Sequence, residues 1–312
     1  MAKITSLPSL GNSDPVSAFP LDIACIVLVI LTPISYLPIN RNVAGLLVNP
    51  PTDGISITAA LLLALCAQAQ VVTMYYLWAC PPFKRYGEVV PHPPRRLDYI
   101  NLVQIIVQWI CAVGFLCFLL NMRPPRRSLI RLDTDLDSPH PVSPSEHDAP
   151  SPSSMTAFIL LTVHAILSIG WALFAGIPTQ DWLDLTFVLI MSAQQYIINP
   201  VIAILTVIAL GLQINMTRKL QGASALTRWT VAPQALVFLA LAISWPMRFK
   251  MPRNLSIRRD RWWWVAEWYP QVGWAGVNSV VIGFGLTVVA FYAGTERAGS
   301  GRDGASEALL GT

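Results

Sequence analysis

Long apolar runs separated by polar segments organise this chain. The runs lie at about Ile23–Ile39, Ile55–Cys80, Asp98–Leu120, Met155–Gly176, Leu185–Ile214, Trp229–Phe249 and Gln271–Ala293. A bilayer core requires roughly 20 mostly apolar residues per helix. Backbone amides in lipid have no water to bond, so each run must be a helix or a barrel strand. These runs are too long and too uniformly apolar for the ~10-residue alternating strands of a barrel. The pattern therefore predicts an all-α, polytopic transmembrane helix bundle of about seven spans, at the usual length of ~20 residues each.

The fifth run contains Asn199-Pro200 near its centre. A hairpin turning there would leave two arms too short to cross the core, about 22 Å each at 1.5 Å per residue. Ser192, Asn199, Thr206 and Gln213 recur every seven residues and so share one face of a continuous helix. The expectation is one long helix kinked near Pro200. In the seventh run, Ala275, Ser279, Gly283 and Thr287 repeat every four residues, a stripe of small side chains that lets another helix approach closely.

Two segments stand apart. The loop at 123–154 opens with Arg123, Arg126, Arg127 and Arg131, turns acidic at Asp133, Asp135 and Asp137, and ends rich in Pro and Ser. It reads as a disordered insert. From Gly294 a short polar tail is expected.

Composition agrees with the pattern. Of 312 residues, 54% are hydrophobic and 12% charged. The net charge of +4 sits in loops and reads as membrane-flanking charge, not as a nucleic-acid footprint. The basic residues divide almost evenly between the two sides, so they do not select an orientation. The setting implied is integral and multi-pass, in an endomembrane such as the ER or in the plasma membrane. All 5 cysteines lie in or at the ends of apolar runs, which leaves no disulfide framework for the loops.

Polar residues inside the runs carry the candidate chemistry, because a polar group at membrane depth costs free energy unless it finds a partner. Asn101, Gln104, Gln108 and Cys111 share one face of the third span. His164, Ser168 and Trp171 share one face of the fourth, and Ser192, Gln195, Asn199 and Thr206 mark the fifth. Two readings stand: these groups line one amide-rich cavity, or they hydrogen-bond helix to helix and hold the bundle. His164 is either a proton acceptor or substrate donor, or a packing histidine. No Asp, Glu, Lys or Arg falls in the middle of a span. Asp22, Asp98, Asp184 and Glu267 stand at span ends, as boundary groups in water or as acids at a cavity mouth. The sixth loop sets Arg258, Arg259 and Arg261 before Trp262, Trp263, Trp264, Glu267 and Trp268. It is either an interfacial segment or an aromatic wall able to stabilise a carbocation.

In architecture, over its whole length, the chain resembles the small integral-membrane terpene cyclases of fungal meroterpenoid pathways. The resemblance implies closure of a prenyl chain by an acid from among Asp22, Asp98, Asp184 and Glu267. It implies aromatic walls from Trp171, Trp262, Trp263, Trp264, Trp268 and Trp274. No Gly-rich phosphate loop, paired-aspartate magnesium motif, or haem or zinc ligand set is present, so no cofactor and no metal are expected. The expected partners are the lipid bilayer and an apolar small molecule. Three functions fit: a membrane-embedded cyclase or isomerase in secondary metabolism, an uncoupled exporter of an apolar compound, and a receptor or scaffold acting through the Ser-Pro loop.

Overall fold

The computed structural model describes residues 15–45, 54–79, 94–122, 153–175, 189–190, 192–219, 226–248, 269 and 273–310. Seven helices form the bundle: α1 (Pro15–Gly45), α2 (Ile57–Ala79), α3 (Arg96–Asn121), α4 (Ser154–Ala175), α5 (Gln194–Lys219), α6 (Arg228–Arg248) and α7 (Trp274–Leu310). No strand occurs among the described residues. Six of the helices are long and apolar enough to cross a membrane, and α4 carries a shorter apolar stretch, Met155–Gly170. The protein is an all-α, multi-pass membrane bundle. Its outer surface is apolar, as lipid contact requires: along α4, Met155, Phe158, Leu160, Val163 and Leu167 are all exposed.

The hydrophobic clusters show that the helices alternate in direction. One cluster joins the ends of α1, α3, α5 and α7 (Ile39, Leu119, Ile214, Val289) to the starts of α2, α4 and α6 (Ile57, Ala157, Val231). At the opposite end, the starts of α1, α3 and α7 (Leu28, Ile105, Trp274) meet the ends of α2 and α6 (Met74, Trp245). A smaller cluster places Ile169 of α4 and Ile190 beside Val72 and Tyr76 of α2. We call these the start end and the finish end of α6.

Three local features follow from the sequence. Pro200 lacks an amide hydrogen, and its ring would strike the carbonyl four residues back. The helix answers with a widened π turn at Gln194–Ile198, closed by the Asn199 N–H donating to the Gln194 carbonyl, and then continues to Lys219. α5 is thus the single interrupted helix that the heptad spacing predicts. Gly54 adopts φ 128°, open to glycine but strained for other residues, and so turns the chain into α2. On α7, a Cβ at Gly283 would lie 2.9 Å from the Leu239 side chain of α6, and one at Gly285 would lie 2.5 Å from that of Leu210 of α5. The missing side chains let α7 seat against both neighbours. Ala275, Ser279 and Gly283 of the small-residue stripe are buried, whereas Thr287 faces outward.

α7 runs past the expected end at Gly294 to Leu310. Hydropathy registers only the apolar part of a helix, whereas Ala, Glu and Arg sustain helix in water. The 123–152 segment, with its Ser-Pro pairs, lies outside the described residues.

Candidate functional site

At the start end of α6 the bundle holds a cavity of about 100 Å³. It reaches from Ile55, Ser56 and Leu226, where α2 and α6 begin, to Gln70, Gln108 and Phe238 near mid-bundle. Leu63, Ala112, Phe115, Leu210, Ile282 and Leu286 give it apolar walls. Its polar groups come from five helices: Tyr36 on α1, Cys66 and Gln70 on α2, Gln108 on α3, Gln213 on α5 and Gln234 on α6. Beyond Phe238 the way is filled by Met74, Ile105, Leu241, Trp245 and Trp274, all almost completely buried. The chamber is blind toward the finish end of α6.

Its polar groups divide by use. Gln213 closes the mouth: its Nε2 donates to the Gly54 carbonyl at 2.7 Å, and its Oε1 accepts the Ser56 N–H at 3.0 Å. Gln234 stands beside the Tyr36 hydroxyl. The Cys66 thiol lies 3.6 Å from the Ile202 carbonyl and donates to it. The Gln108 Nε2 is buried and has no partner among the described residues. An amide donor left unpaired on an apolar wall costs free energy that an acceptor oxygen of a guest would recover.

Of the residues expected to line one cavity, Gln108 does so. Several others are spent between helices. Gln104 Nε2 donates to the Thr32 hydroxyl of α1 at 2.9 Å. Thr73 of α2 donates to Asn199 Oδ1 at 3.1 Å and accepts from Gln194 Nε2 at 2.7 Å, tying α5 to α2. Gln68 Nε2 lies 2.9 Å from His164 Nδ1 and donates at 3.4 Å to the Ser168 hydroxyl, tying α4 to α2. With Nδ1 accepting, the His164 ring proton sits on Nε2. Gln195 is half-buried on the π turn, and Trp274, the first residue of α7, packs in one cluster with Leu241 and Trp245 of α6; neither lines the chamber.

The carboxylates also stand apart from it. Asp98 is buried, but its Oδ2 accepts the Arg95 N–H at 2.8 Å in a box that caps α3. It precedes Gln108 by ten residues, about 15 Å along a helix. Asp22 is half-buried near the start of α1. Asp184, Glu267, Trp262, Trp263, Trp264 and Trp268 lie outside the described residues, and only the backbone of Trp171 is described, on α4.

Sequence reasoning singled out neither Tyr36, Gln70 nor Gln234. The signal was there: Gln68 and Gln70 sit mid-run in α2, and Gln234 follows Pro233 inside α6, at the depth that marked Gln104 and Gln108. Arg248, at the end of the Trp229–Phe249 run, turns inward and is 4% exposed. Its position one turn after Ser244, on the face shared with Leu241 and Trp245, carried that information. Compared with family models, curated proteins and solved structures, the chain matches none.

Proposed function

We propose that this protein admits a small, largely apolar, uncharged molecule from the bilayer into the chamber and converts it there by isomerisation or cyclisation, an isoprenoid-type substrate being the class that suits the walls. The supporting observation is the blind chamber itself, apolar along its sides, with Gln70, Gln108 and the Tyr36–Gln234 pair as its deeper polar groups. Such walls accept a hydrocarbon guest that carries an oxygen for the amides to hold. An isomerisation needs only proton transfer within a site closed to water. Tyr36 is the hydroxyl-bearing aromatic on the wall. The Tyr36 hydroxyl carries the proton in this reading, since Asp22 and Asp98 stand away from the chamber.

A second reading is favoured by one observation: among the described residues, no carboxylate lines the chamber. Amide and hydroxyl lining without an acid suits an exporter, with the blind chamber as one of its alternating states.

The test is a metabolite comparison between cells with the protein, cells without it, and cells carrying Ala112→Phe, which fills the chamber. Pellet and medium are analysed separately. Conversion predicts that loss of the protein, or Ala112→Phe, accumulates a compound of the same mass as the missing product but of different retention time. Tyr36→Phe reproduces that block. Unchanged compounds with a shifted ratio between pellet and medium establish export instead. No change in either sinks both readings and leaves a receptor or scaffold.

A further inference from the structure

The finish end of α6 holds a charge that the chamber does not explain. Arg248 ends α6, where a membrane arginine ordinarily snorkels its head into water. Here the residue is 4% exposed, enclosed by protein. Its Nη1 donates to Asn101 Oδ1 at 3.1 Å and its Nη2 to the Ser244 hydroxyl at 2.9 Å, while the guanidinium lies 4.6 Å from the Trp245 ring centroid. These partners are all neutral. Its Nε has no partner, and among the described residues no carboxylate pairs with it. A guanidinium does not deprotonate in proteins, so the site keeps a full positive charge. A buried charge without a counter-charge is among the most expensive arrangements a fold can hold.

Other unpaired groups gather at the same level. Asn101, which already accepts from Arg248, has a free Nδ2. Gln104, one turn further along α3, has a free Oε1. Among the described residues the unpaired donors, Arg248 Nε and Asn101 Nδ2, thus outnumber the unpaired acceptor, Gln104 Oε1.

We propose that this cluster is a binding site for an oxyanion, a carboxylate or phosphate group, with Arg248 as its charge and Asn101 as a supporting donor. The free Nε and the second Nη2 hydrogen form one edge of the guanidinium fork, which takes two oxygens of such a group side by side. Bound water would satisfy the amides but not the charge. The group arrives either as the headgroup of an anionic lipid or as a soluble anion. The site is separate from the chamber and does not depend on the function proposed for it.

The test uses the full chain in phosphatidylcholine nanodiscs at low ionic strength. Thermal unfolding is followed while inorganic phosphate or acetate is titrated, and again in discs doped with phosphatidic acid. The expected result is a saturable rise in Tm with at least one of these probes. Arg248→Gln abolishes it, and Asn101→Ala weakens apparent affinity roughly tenfold, the loss of one hydrogen bond to a charged group. A rise with phosphate or acetate assigns a soluble anion, and a rise with phosphatidic acid alone assigns a lipid headgroup. Equal rises in wild type, Arg248→Gln and Asn101→Ala, or no rise with any probe, overturn the site. Should Arg248→Gln fail to fold, the Asn101→Ala titration decides alone.

Discussion

Where α6 finishes, Met74, Ile105, Leu241, Trp245 and Trp274 fill the space between helices; where it starts, Leu63, Phe115 and Leu286 stand back around a chamber. The same helices build both ends, so the difference lies in the side chains they bring. Lipid tails are as apolar as leucine, so burying a leucine between helices gains little from leaving the bilayer. Stability then concentrates where large side chains interlock and dispersion contacts accumulate. Function is free to occupy the end where interlocking stops. The polar groups follow the same division. Gln108 and Tyr36 face open space at one end, whereas Arg248, Asn101 and Asn278 are sealed inside the other.

The contrast is most directly broken by Trp245→Ala. Trp245 is 2% exposed at the centre of the packed end, and its truncation is expected to cost about 3–5 kcal/mol of folding stability, the range for deleting a buried large aromatic. Reversible denaturation in mixed micelles measures it. A cost below about 1 kcal/mol would show that this end is not the stabilising one.

Gln213→Ala probes the rim between packing and opening. It removes bonds to the Gly54 carbonyl and the Ser56 N–H, and a cost of about 1–3 kcal/mol is expected. Hydrogen exchange at residues 54–57 should quicken with it, because Gln213 ties that turn to α5. Unchanged exchange would mean that the turn is held by other contacts.

The smallest effect is expected from Gln108→Leu. Its Nε2 has no partner, so an isosteric apolar replacement should leave stability within about 1 kcal/mol or raise it. The same change should lower the affinity of an oxygen-bearing guest several-fold in a tritiated-ligand binding assay. A substantial loss of stability instead would assign Gln108 to the frame and not to the chamber.

Much of the fold was legible in the chain because a bilayer imposes strict rules on length and backbone bonding. An uninterrupted apolar run has few structural outcomes, and six of the seven helices qualify as spans on length and composition. Even the irregularity at Asn199-Pro200 could be anticipated, since proline acts on its own helix, four residues away. The destinations of the amides were another matter. Periodicity placed Asn101, Gln104 and Gln108 on one face, yet three neighbouring positions met three environments: the Arg248 guanidinium, the Thr32 hydroxyl and the chamber. Arg248 itself looked like a flanking charge, because nothing local distinguishes an inward from an outward last turn.

By itself, then, the sequence determined a polytopic helical bundle, the approximate course of its helices and the polar faces they carry. These follow from interactions within a few residues of one another and from the thickness of the bilayer. Which polar faces meet, where packing leaves a chamber, and that, among the described residues, Arg248 is enclosed with neutral partners alone were decided only in the tertiary structure. Those outcomes depend on contacts between residues more than a hundred positions apart, such as Asn101 with Arg248 and Ser56 with Gln213.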